Sequence, residues 1–479
     1  MSAMAWLQHP SVCPSESGVY SVGQSCSRFA SIPQGCARDG GKETVTQSQP
    51  FRRLLRESLQ SVFAPLTLTL AVMALACAPF APAQSEAVIY NFQGAPDGNT
   101  PEAGLVSDKS GNLYGTTSIG GQFGQGAVFR LMPPDQPGGA WTESVLYSFQ
   151  LPGSGDGVDP AASLVVGRNG HLYGTTNLGG QSGLGTVFVL KPPSTVGGIW
   201  AEEALYSFDG VSGAYPEGLT LGGDGSLYGV TASNGLSGGN GTVYRLSERT
   251  PGGPWIKDVI HYFQGFNDGI APRCALVVDE RGNLFGTTWA GGRSGNGTVF
   301  ELSPPGMKGG FWEEKTLHDF MGGSDGANPI GGVVFDRHGS LYGTTLYGGQ
   351  VGTVSGTVFR LSQEQFGRWA ERVLYTFTGG SDGTNPYAPL IIDAAGNLYG
   401  TTQAGGSSGC QNGCGVVFQL APPIEDSGSW SESVLHSFSG PGDGANPIGG
   451  VVFDKHGSLL GTTLYGGQPG YGIVYALYP

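Results

Sequence analysis

Six aspartates stand at one recurring place in the chain, each followed by glycine: Asp97, Asp156, Asp268, Asp325, Asp382 and Asp443. Gathered on one rim, such carboxylates suit two kinds of chemistry. Hard cations such as calcium want clustered oxygens, and a converging pair such as Asp325 and Asp382, with raised pKa, could serve as acid and base on a glycosidic bond. A third reading is structural: an aspartate before a glycine stabilises a tight turn by accepting a backbone N–H. One carboxylate per loop falls well short of six oxygen ligands, and no EF-hand or nonapeptide spacing is present. The turn reading is therefore the expectation: no metal residue and no cofactor, with calcium as the alternative.

A second set of residues differs between otherwise matching units. Just after a repeated Gly-Thr-Thr the chain carries Trp289-Ala290, Leu346-Tyr347 and Leu464-Tyr465, and Arg293 replaces the glutamine of other units. Arg273 and Tyr387 each follow a proline. Aromatics and arginine on a rim of glycine loops are what sugar rings or peptide anchors stack on. The expected ligand patch is Trp289, Arg293, Tyr347, Arg273, Tyr387 and Tyr465. Single exposed aromatics are also ordinary on any surface, which is the rival account.

Other reactive residues offer less. Cys410 and Cys414 lie four apart in a glycine loop, a spacing that suits a local disulfide in an exported protein better than a metal site lacking further ligands. Cys274 then stands alone as a small buried residue. His261, His318 and His436 fall in outer strands, and His338 and His456 in turns. No Ser-His-Asp set, paired-histidine motif or phosphate loop occurs at usable spacing, so no catalytic residue is expected.

The elements that must position these residues are legible from a repeat. Leu113-Tyr114-Gly115-Thr116-Thr117 returns at Leu172, Leu227, Leu284, Leu341, Leu398 and Leu459, with small variations. Spacings of 55 to 61 residues fit one four-stranded sheet with its turns. The 86 glycines fall at fixed offsets and mark turns rather than disorder. Segments rich in Val, Thr, Tyr and Phe between turn clusters read as strands. The fold class predicted is all-β, a seven-bladed β-propeller of four-stranded antiparallel blades. Residues 326–350 and 444–468 are identical except at Arg337/Lys455 and Tyr342/Leu460, the mark of a two-unit duplication. Trp141, Trp200, Trp255, Trp312, Trp369 and Trp430 repeat in register, which predicts packing between blades.

The ends predict ring closure. Ser85–Phe92 looks like the fourth strand of other units, while the seventh unit stops after its third. Pairing about 86–92 with the last blade would hide both edges. The units run about 93–149, 150–208, 209–263, 264–320, 321–377, 378–438, and 439–479 plus 85–92.

Upstream, residues 1–50 show no strand or helix period and read as disordered or as a mis-assigned leader. Residues 51–83 run from Arg52-Arg53 through an apolar stretch to Ala81-Pro82-Ala83, the order of an export signal cut near Gln84. A membrane anchor is the rival, but Pro65, Pro79 and Pro82 interrupt the span. Lipidation at Cys77 is a further option. The net charge of −14 repels phosphate backbones, so nucleic acid is not an expected partner.

The run Gly-Asn-Leu-Tyr-Gly-Thr-Thr at Gly396–Thr402, then Gly405-Gly406, and Gly-Thr-Val-Phe at Gly297–Phe300, resembles the GloVer-type (Gloeobacter/Verrucomicrobia) tandem repeat of secreted and surface proteins over about residues 85–479. The resemblance implies varied surface anchors and no catalytic residues to carry over. The functional expectation is a secreted or cell-surface monomer that binds an extracellular glycan or protein. The alternatives are a propeller enzyme acting on polysaccharide and a structural envelope protein.

Overall fold

The computed structural model describes residues 85–136, 139–195, 197–233, 239–250, 252–307, 309–349, 355–424 and 428–479. The export signal, its cleavage point and Cys77 lie outside these. Seven blades, mostly of four antiparallel strands, form a ring. Blade 1 is typical: Val106–Ser107 innermost, then Leu113–Thr117, Ala127–Met132 and Thr142–Ser148 outermost. No helix among the described residues is long and apolar enough to cross a membrane.

Closure follows the predicted pairing. Ser85–Asn91 lies antiparallel to Ile473–Tyr478, with Glu86 opposite Leu477 and Asn91 opposite Ile473. The first described strand is thus the outer strand of blade 7, and the ring has no open edge there.

The core lies between blades. Each blade's outer strand is followed by a phenylalanine that packs edge-on against an aromatic of the next blade's third strand, as Phe92 on Phe129 at 5.1 Å and Phe149 on Phe188 at 5.2 Å. Such contacts add about 0.5–1.5 kcal/mol beyond area burial. The phenylalanine ring also explains the glycine of the repeat. A Cβ on Gly115 would stand 2.5 Å from Phe129 Cζ, so a larger residue would drive the ring out of its seat. The first threonine of the repeat reaches sideways: Thr175 Oγ1 donates to Glu217 O at 2.9 Å, and Thr401 Oγ1 to Gly449 O at 3.2 Å, each in the next blade.

The tryptophans pack between blades as predicted. Trp200 meets Tyr114 at 6.4 Å, Trp312 meets Tyr228 at 6.1 Å and Trp430 meets Tyr342 at 6.1 Å. Where blade 7 has Leu460 instead of an aromatic, Trp141 packs against the cluster that contains it.

Candidate functional site at the channel mouth

Every blade enters its inner strand through a residue with positive φ followed by proline. These are Thr100, Asp159, Tyr215, Ala271, Asn328, Asn385 and Asn446, with φ between 54 and 62°. Asparagine and aspartate tolerate this conformation, while Thr100, Tyr215 and Ala271 hold it against their preference. The contact that holds it is a backbone hydrogen bond to the preceding blade's glycine loop: Thr100 N to Tyr471 O at 3.0 Å, Asn328 N to Asn296 O at 2.7 Å, Asn446 N to Cys414 O at 2.8 Å. The proline then sits on that loop's last glycine. A Cβ on Gly472 would lie 2.6 Å from Pro101 Cδ, and Gly472 itself has φ of +93°.

The residue after each proline is thereby aimed at the central channel. Round the ring these are Glu102, Ala161, Glu217, Arg273, Ile330, Tyr387 and Ile448, and all seven line one cavity of about 430 Å³. Three are small or aliphatic. The other four carry the chemistry.

Arg273 is held from two sides, with its guanidinium 3.9 Å from Glu217 and 5.6 Å from the centre of the Trp289 ring. Burial pushes the Glu217 carboxyl up to about 7; Arg273 pulls against that shift, and Asp159 and Glu102 add to it. Glu102 is also raised, chiefly by burial, although it accepts a hydrogen bond from Ser118 Oγ at 2.8 Å. Asp159, two residues before Ala161, is raised by burial as well. Burial raises the Tyr387 phenol; Arg273 opposes, while Glu217, Glu102 and Tyr347 contribute upward. The mouth thus holds three carboxyl groups against one guanidinium. Its walls accept and donate hydrogen bonds, and an exposed indole stands beside them.

Of the six residues expected from sequence to form the patch, Arg273 and Tyr387 line the cavity, Trp289 stands against Arg273, and Tyr347 lies close enough to Tyr387 to raise its phenol. Arg293 is not with them. It points outward, 83% exposed, with its Nε 3.8 Å from Asp319 of its own blade's outer strand. Tyr465 is exposed on blade 7, two blades beyond Tyr347, with its backbone paired to Ala445. Sequence reasoning missed Glu102, Glu217 and Asp159. The signal was present, because Glu102 and Glu217 occupy the same post-proline position that singled out Arg273 and Tyr387.

The six rim aspartates belong to their turns. Asp97 accepts from Gln93 N at 2.8 Å, Asp156 from Gln150 N at 2.9 Å, Asp268 from Gln264 N, Asp325 from Met321 N, Asp382 from Thr378 N and Asp443 from Ser439 N. Each is also tied to a tyrosine or histidine of the preceding outer strand, as Tyr90 to Asp97 at 2.9 Å and His318 to Asp325 at 3.1 Å. A catalytic pair of Asp325 and Asp382 therefore has no support in the geometry: each answers to a different blade's outer strand. Cys410 and Cys414 form the expected disulfide, and Cys274 is buried against Thr287.

A larger groove of about 920 Å³ opens between blades 3 and 4, lined by strand-connecting turns such as Asp224, Asp279 and Arg281. Its charged strand residues, Arg245 and Asp258, form an ion pair at 3.0 Å. The mouth, where charges remain partly unpaired, is the better candidate.

A family model of the Gloeobacter/Verrucomicrobia repeat matches residues 79–255 and 367–479. No curated protein matches the chain. Among solved structures, a gluconolactonase of Xanthomonas campestris is 14% identical, with 64% of this chain and 82% of that one covered at a TM-score of 0.35. PorZ, a surface component of the type-IX secretion system of Porphyromonas gingivalis, is 12% identical, with 74% and 44% covered at 0.39. An oxidoreductase of Thermus thermophilus, described as a glucose dehydrogenase, is 16% identical, with 82% and 100% covered at 0.38. Likenesses this distant bear on no residue or ligand of the present chain.

Proposed function

The chain belongs to the Gloeobacter/Verrucomicrobia repeat family, and on that premise we propose that it is an exported β-propeller binding module whose channel mouth takes an extracellular carbohydrate. The observation that carries this reading is the setting of Arg273, which lines a cavity of about 430 Å³ with Glu217 on one side and the Trp289 ring beside it on the other. An indole face offers apolar stacking to a sugar ring, while the flanking guanidinium and carboxyls offer hydrogen bonds to its hydroxyls. Three carboxyls against one arginine disfavour acidic polysaccharides and favour neutral or amino sugars. The Cys410–Cys414 disulfide fits an oxidising compartment. On this reading residues 1–83 are a leader, and the mature protein is extracellular or attached to the cell surface.

The test is a glycan array followed by calorimetry with the best neutral or amino-sugar oligosaccharide. Trp289→Ala and Arg273→Ala should each weaken binding, and affinity unchanged in both would remove the mouth as the site.

One observation favours a second reading. Glu217, pushed up to about 7, is protonated in about half the molecules at neutral pH, a proton that a leaving group could take, with Glu102 in the same cavity. That arrangement suits hydrolysis or elimination on a polysaccharide. Here Glu217→Gln would abolish product formation while leaving binding in place.

A further inference from the structure

We propose that His318, Asp325 and Glu371 form a binding site for one divalent transition-metal ion, of the zinc class, between blades 4 and 5. His318 lies on the outer strand Glu313–Asp319, Asp325 in the loop that follows, and Glu371 on the next blade's outer strand, Trp369–Thr376. One imidazole nitrogen and two carboxylate oxygens come within 4.8 Å of one another, the one such set of three among the described residues. His318 Nε2 stands 3.1 Å from Asp325 Oδ1, close to the edge of a tetrahedron with ligand bonds of about 2.0–2.2 Å. Both side chains are about one-fifth exposed, so an ion and its water ligand have a way in. Glu371 Oε1 is sealed from solvent and accepts no hydrogen bond, and the same holds for the matching oxygen of Glu86, Glu143, Glu202 and Glu432; what sets this interface apart is that an imidazole and a second carboxylate come within reach. A buried carboxylate oxygen without a donor is costly unless a positive partner reaches it.

A second interface shows that this place accommodates a cation. Six blades put a glutamate opposite the third-strand leucine, as Glu371 opposite Leu361 and Glu143 opposite Leu131. Blade 3 puts Lys257 there, opposite Leu246. In the loop facing Lys257, Ser212 stands four residues before the proline, where six loops have aspartate. The two acids are exchanged together. Lys257 Nζ donates to Ser212 O and, at 2.9 Å, to Ser212 Oγ, and it lies 5.0 Å from the Tyr206 ring centre. Where the acids are missing, the chain supplies its own cation. Between blades 4 and 5 it supplies ligands instead: His318 stands where Tyr90, Tyr147, Tyr206 and Tyr375 stand elsewhere, as His261 and His436 do at two further interfaces, and among the described residues only here do the imidazole and both acids come within 4.8 Å.

The test uses the full chain, stripped with a chelator and titrated with zinc by calorimetry and metal analysis. One zinc ion per chain is expected, with a rise in Tm on loading. His318→Tyr restores the residue type of four other interfaces and so keeps the fold; it should weaken zinc binding by at least about tenfold. Glu371→Gln should do the same, while Glu432→Gln, at the matching place between blades 5 and 6, should leave it unchanged. Absence of stoichiometric zinc binding overturns the proposal. So does binding that persists in both variants, since the ion would then sit on the equivalent His261–Asp268 or His436–Asp443 pair or on the turn histidines His338 and His456.

Discussion

Thr462 Oγ1 of blade 7 donates to the carbonyl of Ala103 in blade 1 at 3.0 Å, across 359 residues of chain. The bond belongs to the same series that joins Thr175 to Glu217 and Thr401 to Gly449, so the last interface is built like the others. What sets the last blade apart is that its outer strand comes from the other end of the chain.

Removing residues 85–92 should therefore open the ring. It strips the partner from Ile473–Tyr478 and takes Phe92, fully buried, off Phe129. An unpaired strand edge invites other chains. The expected outcome is a lower Tm and concentration-dependent association by light scattering; a monodisperse truncation with the parent Tm would contradict the closure.

Two third-strand aromatics depart from the phenylalanine found in the other five blades. The hydroxyls of Tyr244 and Tyr475 are buried with no hydrogen-bond partner. Tyr244→Phe and Tyr475→Phe should leave stability unchanged or raise it by up to about 1 kcal/mol each, because an unsatisfied buried hydroxyl is removed at nearly constant shape. Denaturant midpoints decide this, and a clear loss in either variant would mean the hydroxyl has found a partner.

Stability should fall as pH rises from mildly acidic to mildly basic. Burial pushes the Glu143, Glu202 and Glu432 carboxyls up to about 7, and Asp97, Asp156 and Asp382 beside them act in the same direction. The folded chain thus holds these protons more tightly than the unfolded chain does. The resulting stabilisation is complete below the ordinary value of 4.5 and is lost as pH passes through about 7. Tm should be several degrees higher at about pH 5.5 than at about pH 8. The triple change of all three glutamates to glutamine should flatten that slope.

At the mouth, Trp289→Ala and Arg293→Ala separate the sequence-derived patch from the observed one. Trp289 lies under Arg273, whereas Arg293 faces Asp319 and solvent. Loss of the indole should weaken glycan binding about tenfold or more, roughly 1.4 kcal/mol. Arg293→Ala should leave it within about twofold, and equal losses would return the site to the outer rim.

The amino-acid order was enough for the blade count, the strand pairing at closure, the turn role of the rim aspartates, the interblade tryptophans and the disulfide. These all follow from local chemistry repeated in register: a glycine where a phenylalanine ring lies on the backbone, an aspartate before a glycine, an outer strand displaced to the front of the chain. The membership of the mouth was only half legible. Arginine and tyrosine at positions 273 and 387 have the chemistry of ligand contacts, whereas Glu102 and Glu217 in the same position have a residue type that marks no site by itself. Periodicity says that residues occupy equivalent places, but not which equivalent places converge on a common axis. Nor does it tell where a long side chain turns. Arg293, only four residues from Trp289, leaves for Asp319, and His318 meets Glu371 from 53 positions away. Those choices depend on distances across blades and on which charges burial leaves unpaired, quantities that exist only once the ring has closed.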